Sequence, residues 1–277
     1  SRDRLVFDVG HQCYVHKALT GRRELFSTLR QLRGLSGYPQ PAESIHDAFI
    51  AGHASNSVSV ALGMARARTL QCEDYQVLAL IGDGALTGGL SYEGLNDAGA
   101  SGEPLIVILN DNGMSIAPNV GGMARHLSYI RTRASYYRFK KGYHRLMDRL
   151  PGGRGLYRFN HRLKTAVKKL IFPGTFFEDM GFTYLGPVDG HNIERLCTTL
   201  KWAKELNGPV LVHVRTRKGK GYAPAEETPD RFHGVGPFDP DTGAVAPSGE
   251  DFSSVFGRTM EQLAQEDTRV CAITAAM

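Results

Sequence analysis

Two short stretches carry residue types that could do chemistry together. GDGALTGG (82–89) follows the apolar run VLALI (77–81) and sets Asp83 between two glycines. ILNDNGMSI (108–116) ends a second apolar run on Asn110, Asp111 and Asn112, and Asp83 and Asn112 lie 29 residues apart. One carboxylate, one amide oxygen and a loop carbonyl are hard oxygen donors suited to Mg²⁺, an ion that commonly shares its shell with phosphates and water. Gly82 and Gly84 remove Cβ atoms where backbone would approach a phosphate, and a helix N-terminus following them favours an anion. The pair therefore reads as a magnesium–diphosphate site. A GDG tripeptide alone reads first as a strand–turn–helix connection, which uses glycine routinely.

Position decides between these readings, and the surrounding elements set position. Apolar runs at 4–9 (RLVFDV), 76–81 (QVLALI), 104–110 (PLIVILN) and 209–216 (PVLVHVRT) have the continuous Val, Ile and Leu content of strands buried on both faces of a parallel sheet. Helical patterns separate them at 55–71, 88–100 and 192–207, the last opening on Asn192 and stopping at Asn207-Gly208. The alternation predicts an α/β chain: an open, doubly wound, mostly parallel sheet with helices on both faces. Strand, helix and strand between 76 and 110 form a βαβ crossover, so Asp83 and Asn112 emerge at the carboxyl ends of parallel strands, where open α/β sheets place their ligands. Residues 1–237 form the expected main domain, and 238–251, rich in Pro, Gly, Asp and Ser, reads as a linker. Residues 252–277 read as a helix followed by one strand, the start of a second domain.

Composition narrows the classes. No run of about 18 apolar residues suggests a membrane span, and SRDRLVFDVG lacks the pattern of a secretory signal. It enters directly into a strand-like run, which predicts a missing N-terminal portion. The four cysteines are at least 59 residues apart, so no zinc or redox spacing occurs and reduced thiols of a cytoplasm-like compartment are expected. Net charge is +5, yet residues 131–170 alone hold 13 Lys or Arg against one acid, Asp148, and the rest of the chain is net acidic. A basic, aromatic segment could serve nucleic acid, but one charge block is not a groove-reading motif, and no nucleic-acid or membrane partner is expected.

A GDG followed about 30 residues later by an asparagine-rich strand end resembles the thiamine diphosphate enzymes. The match narrows with DVGHQCYVHKALTGRR (8–23), AGHASNSVSVALGMA (51–65), PGTFFEDMGFTYLGPVDGH (173–191) and KGKGYAPAE (218–226), which occur here in the order found in the 1-deoxy-D-xylulose-5-phosphate synthase family. The resemblance covers nearly the whole chain, except about 125–170, which is read as a basic excursion forming a mobile cover. It implies a diphosphate-binding domain, followed by the truncated start of a pyrimidine-binding domain.

By that resemblance, Asp83, Asn112 and the main-chain carbonyl of Met114 hold Mg²⁺, and Gly84 and Ala85 offer N–H groups to the cofactor's diphosphate. Gly52, His53 and Ala54 match a cofactor-contact segment in which the family often has serine at position 54. His11 and Tyr222 match cofactor-side positions, His53 and His233 are the catalytic candidates, and His233 is a proton-transfer or substrate-positioning group. Without the resemblance, His11 reads as a capping or packing residue, Tyr222 as a boundary aromatic, and Asp189 with His191 as a turn. The implied reaction joins pyruvate to D-glyceraldehyde 3-phosphate with loss of CO₂, giving 1-deoxy-D-xylulose 5-phosphate for isoprenoid, thiamine and pyridoxal synthesis, in a homodimer.

The resemblance also places an activating glutamate and phosphate-gripping arginines beyond Met277, and a histidine before Ser1. The fragment alone is therefore expected to turn over little. Transketolase or pyruvate dehydrogenase E1 would share the metal pattern, and a non-catalytic module binding acidic partners would instead use 131–170.

Overall fold

The four strands expected within residues 1–237 all form, and they pair as the crossover argument requires. The structure, a computed structural model, describes residues 2–115, 118–132, 176–245 and 249–273. It divides into two compact units, Ser1–Lys220 and Gly221–Met277. In the first unit β1 (Arg4–Phe7), β2 (Val77–Gly82), β3 (Ile106–Asp111), β4 (Thr183–Asp189) and β5 (Val210–Arg215) make one sheet ordered β1-β2-β3-β5-β4. Every neighbouring pair is parallel, with Gly82 opposite Asn110 and Asp111 opposite Arg215.

The order explains why helices cover both faces. From β1 to β3 the chain steps across the sheet in one direction, through α2 (Ser57–Leu70) and α3 (Gly89–Ser101). From β4 to β5 it steps back, through α6 (Ile193–Lys204). Right-handed crossovers taken in opposite directions put their helices on opposite faces. Accordingly Val58, Ala61 and Leu62 of α2 and Leu95 of α3 pack with Ala79, Ile81 and Val107 in one core. Leu196, Leu200 and Ala203 of α6 pack with Ile106, Val210 and Val212 in the other. α6 begins as expected, with the Asn192 side chain accepting from Arg195 N at 2.9 Å. The remaining helices of this unit are α1 (Tyr14–Lys17), α4 (Gly121–Thr132) and α5 (Phe176–Asp179).

Several sequence expectations need correction. β4 is not among the expected strands, and Gly186-Pro187 interrupts its run FTYLGPVDGH. As the edge strand it tolerates a proline, and its pairing with β5 shifts register between Leu185 and Val188. A Cβ at Gly186 would lie 2.6 Å from the His213 carbonyl oxygen, so only glycine lets β4 pass β5 there. The strand expected over 268–277 does not form in the described residues up to Ile273, whose side chain is fully exposed. The expected 238–251 linker is partly ordered instead: Phe238 bridges Val245, and Asp239 closes the turn by accepting from Asp241 N and the Thr242 hydroxyl. The expected division at 237/238 falls inside the second unit. Most of the expected basic excursion, from 133 to 170, lies outside the described residues; Arg125–Ile130 belong to α4.

The second unit holds α7 (Ala223–Glu227) and α8 (Phe252–Glu266), with Tyr222, Phe232 and Phe238 packed edge to face or tilted around one another. Asp251 caps α8 by accepting from Ser254 N at 2.7 Å, and no residue of that helix is buried.

Candidate cofactor and metal site

β2 ends at Gly82, and the Asp83 amide extends the ladder by donating to the Asn110 carbonyl at 3.2 Å. This turns the Asp83 carboxylate inward at the carboxyl edge of the sheet, where only 3% of the residue is exposed. Its Oδ1 accepts from Gly84 N at 2.8 Å, and its Oδ2 from Asn112 N at 3.1 Å and Gly113 N at 2.6 Å. Asp83 and Asn112, 29 residues apart in sequence, thus meet at one point. Asn112 Oδ1 accepts from Met114 N at 2.9 Å, which folds the third expected donor residue into the same loop. That loop is closed by the Asn119 amide donating to the Gly113 carbonyl and by a bridge between Met114 and Pro118.

A second carboxylate, Asp111, lies beneath the loop and is almost fully buried. Its Oδ1 accepts from Gly113 N at 3.2 Å, and its Oδ2 sits 2.8 Å from His213 Nε2. The other ring nitrogen of His213 is 2.7 Å from the Tyr184 hydroxyl. Since Asp111 can only accept while ionised, His213 donates to it through Nε2. A hydrogen-bonded chain thus runs from β4 through β5 to β3, under the Asn112–Asn119 loop. Burial first, then the adjacent Asp111 carboxyl, pushes Asp83 up to about 6, against the opposing pull of the Gly113 amide and the Asn119 side chain. Two carboxyl groups sharing a dry site disfavour ionisation of one of them, and a bound cation relieves that penalty. The donor set therefore fits a divalent cation. A cavity of about 350 Å³ adjoins it, lined by Asp83, Asp111, Asn119, Ala124, Arg125 and Ser128.

The glycines of GDGALTGG differ from their expected roles. A Cβ at Gly82 would meet nothing within 4 Å, whereas one at Gly84 would lie 2.7 Å from the Ser115 Cβ and one at Gly88 2.2 Å from the Ser55 Oγ. Gly84 and Gly88 are required by the chain's own loops. The Gly84 N–H, expected to face a diphosphate, is directed at Asp83 Oδ1. Ala85 opens a single 3₁₀ turn, Ala85–Thr87, ahead of α3.

Gly52, His53 and Ala54 form an exposed segment beside the end of β1, held there by Val9 N donating to the His53 carbonyl at 3.3 Å. His11 is exposed in the turn after β1. Tyr222 and His233 belong to the second unit, where Tyr222 joins the aromatic cluster. His191 accepts from Arg217 N at 2.8 Å, and its own amide donates to Asp189 Oδ1, so this pair is a turn. His16 and Lys17 join Arg22, Glu43 and Asp47 in a buried ion cluster.

Sequence reasoning missed Asp8, Ser55, Asp111, Tyr184 and His213. The legible signal for His213 was one imidazole inside the otherwise apolar run VLVHV, where a buried polar group needs a partner. For Asp111 it was a carboxylate on the inward phase of β3.

A family model described as 1-deoxy-D-xylulose-5-phosphate synthase matches residues 1–216. The chain is 57% identical over 277 residues to the 1-deoxy-D-xylulose-5-phosphate synthase of Desulforudis audaxviator, a match spanning 99% of this chain and 44% of that protein. It is 52% identical to the enzyme of the same name from Caldanaerobacter subterraneus subsp. tengcongensis, with the same coverage. The chain thus spans less than half the length of these curated relatives. Among solved structures it resembles transketolase from Campylobacter jejuni (TM-score 0.55, 24% identity, 82% of this chain and 31% of that one). Transketolase from Leishmania mexicana is similar too (TM-score 0.51, 21% identity, 77% and 28%). At these identities the likeness concerns the fold.

Proposed function

The chain belongs to the 1-deoxy-D-xylulose-5-phosphate synthase family, and we propose that it forms the diphosphate-binding part of a transferase that uses thiamine diphosphate and Mg²⁺. The reaction proposed for the whole enzyme joins pyruvate to D-glyceraldehyde 3-phosphate, releasing CO₂ and 1-deoxy-D-xylulose 5-phosphate. The observation that carries this reading is the convergence of Asp83 with the Asn112–Gly113 amides at the ends of adjacent parallel strands.

Bound thiamine diphosphate supplies the carbanion chemistry by which pyruvate loses CO₂ and its remaining two carbons join the aldehyde. The chain's own residues hold and orient. Asp83, the Asn112 side-chain oxygen and the Met114 carbonyl are the proposed cation donors, all oxygen and therefore suited to Mg²⁺. Ala85, with Gly84 beside it, opens the turn proposed to face the diphosphate. Gly52, His53, Ala54 and His11 are proposed cofactor-side groups, consistent with their exposure at the carboxyl edge of the sheet. The roles of Tyr222 beside the cofactor and of His233 in proton transfer or substrate positioning are proposed on the resemblance alone, as are a homodimer and a cytoplasmic location. Among the described residues no helix is long and apolar enough to cross a membrane.

Calorimetry tests the site directly. Thiamine diphosphate is expected to bind the chain with Mg²⁺ present, and Asp83→Ala is expected to weaken that binding at least about tenfold, since a lost interaction with a charged group is worth on the order of 1.5–3 kcal/mol. Equal affinity in both proteins removes the metal assignment.

A further inference from the structure

The end of β1 is joined to two other segments by buried hydrogen bonds that no ligand requires. Asp8 follows β1 directly and is fully buried. Its Oδ1 accepts from Ser55 N at 2.8 Å and its Oδ2 from Ser57 N at 3.1 Å. The Asn56 side chain makes no capping bond to α2, so a carboxylate from a neighbouring strand satisfies that helix start instead. Ser55 sits in the left-handed region at φ +74°, a conformation a serine keeps only when its surroundings hold it. Its hydroxyl then donates to the Ala85 carbonyl at 2.7 Å. That approach is open because residue 88 is glycine: a Cβ there would lie 2.2 Å from the Ser55 Oγ. The bonds thus run from Asp8, just after β1, through Ser55, the residue that follows the Gly52–His53–Ala54 segment, to Ala85.

We propose that Asp8 and Ser55 are positioning residues, a strut that locks the Gly52–His53–Ala54 segment against the Asp83–Ala85 segment so that both meet the cofactor as one preassembled surface. The two segments come from successive crossovers and share no strand. Without the strut each is free to settle separately, and binding has to order them together at the expense of affinity. The inference rests on the thiamine diphosphate reading above.

Asp8→Asn, Ser55→Ala and the double variant test it, with calorimetry of thiamine diphosphate plus Mg²⁺ alongside amide hydrogen exchange. Asp8→Asn keeps the volume but turns an NH₂ toward one of the two amides; Ser55→Ala removes only the bond to Ala85. Each single variant is expected to bind about tenfold more weakly. The double variant is expected to fall well short of the product of the two losses, because both cut one strut. Exchange is expected to quicken at Thr87 and Gly88 as well as at Ser55 and Ser57. A purely local helix cap predicts otherwise: a lower melting temperature, faster exchange at Ser55 and Ser57 alone, and affinity within about twofold of the unaltered chain. That result overturns the strut. If the unaltered chain itself binds no thiamine diphosphate, the cofactor reading fails separately. Exchange at Thr87 and Gly88 in Ser55→Ala then decides the strut, acceleration supporting it and no change overturning it. Should Asp8→Asn not fold, Ser55→Ala, which leaves the α2 cap intact, carries the test by the same criteria.

Discussion

At the scale of single residues, the site is defined by what surrounds its carboxylates. Asp83 is gathered by three backbone amides, while Asp111, one strand over, is held by His213 and through it by Tyr184. Removing His213 takes away the donor on the Asp111 Oδ2 and the partner of the Tyr184 hydroxyl, while the Gly113 amide stays on Asp111 Oδ1. His213→Ala is therefore expected to cost on the order of 3 kcal/mol of stability, read from urea unfolding. A loss below about 1 kcal/mol, the level of an exposed pair, would mean that Asp111 finds another donor. The sequence displayed Asp111 in the NDN triplet and His213 in VLVHV. It could not show that they meet, because 102 residues separate them and only the β3–β5 pairing brings them together.

At the scale of elements, the segment between β1 and α2 is irregular, with one turn of α1 and short π and 3₁₀ turns. An ion cluster takes the place of strand or helix ladders. Arg22 grips both oxygens of Asp47 at 2.7 and 2.8 Å, His16 reaches Asp47 at 3.0 Å, and Lys17, fully buried, pairs with Glu43 at 2.5 Å. Burial opposes ionisation of Asp47, but the Arg22 guanidinium, the Gln40 amide and His16 outweigh it and hold the carboxyl at about 2. A carboxylate lowered by folding adds stability that is fully present above its ordinary value near 4 and is lost as pH falls toward 2. The gap between the unaltered chain and Asp47→Asn should therefore be roughly 2 kcal/mol or more at pH 6, and should shrink across that acid window. A gap independent of pH would show that the cluster acts through packing rather than charge.

For the whole molecule, sheet order matters more than any one motif. The strand order runs β1-β2-β3 and then reverses through β5-β4, and Asp111 and His213 bridge the reversal between β3 and β5. Ligands of open α/β sheets bind outside the carboxyl ends of the strands near such a reversal. A ligand that binds only the folded chain stabilises all of it, by about 2.7 kcal/mol at a hundred times its dissociation constant. Thiamine diphosphate with Mg²⁺ should accordingly raise the melting temperature, and chelating the metal should remove most of the gain. An equal rise in the presence of chelator would argue against a metal-linked site.

The sequence by itself determined the sheet class, four of its five strands, three of the helices between them (α2, α3 and α6) and the convergence of Asp83 with Asn112 at the strand ends. Those features follow from local apolar runs, caps and one crossover of about 30 residues. The resemblance added the family, through segments long enough to be matched without a structure. Tertiary structure alone decided the rest. β4 was hidden because an edge strand accepts a Gly-Pro break that an interior strand rejects. The Asp8–Ser55–Ala85 chain and the Asp111–His213–Tyr184 chain were hidden because each joins strands or loops far apart in sequence, and periodicity carries no information about which buried donor meets which acceptor. The glycines of GDGALTGG show both sides. Their presence was plain in the sequence, but only packing revealed that Gly84 makes room for Ser115 and Gly88 for Ser55.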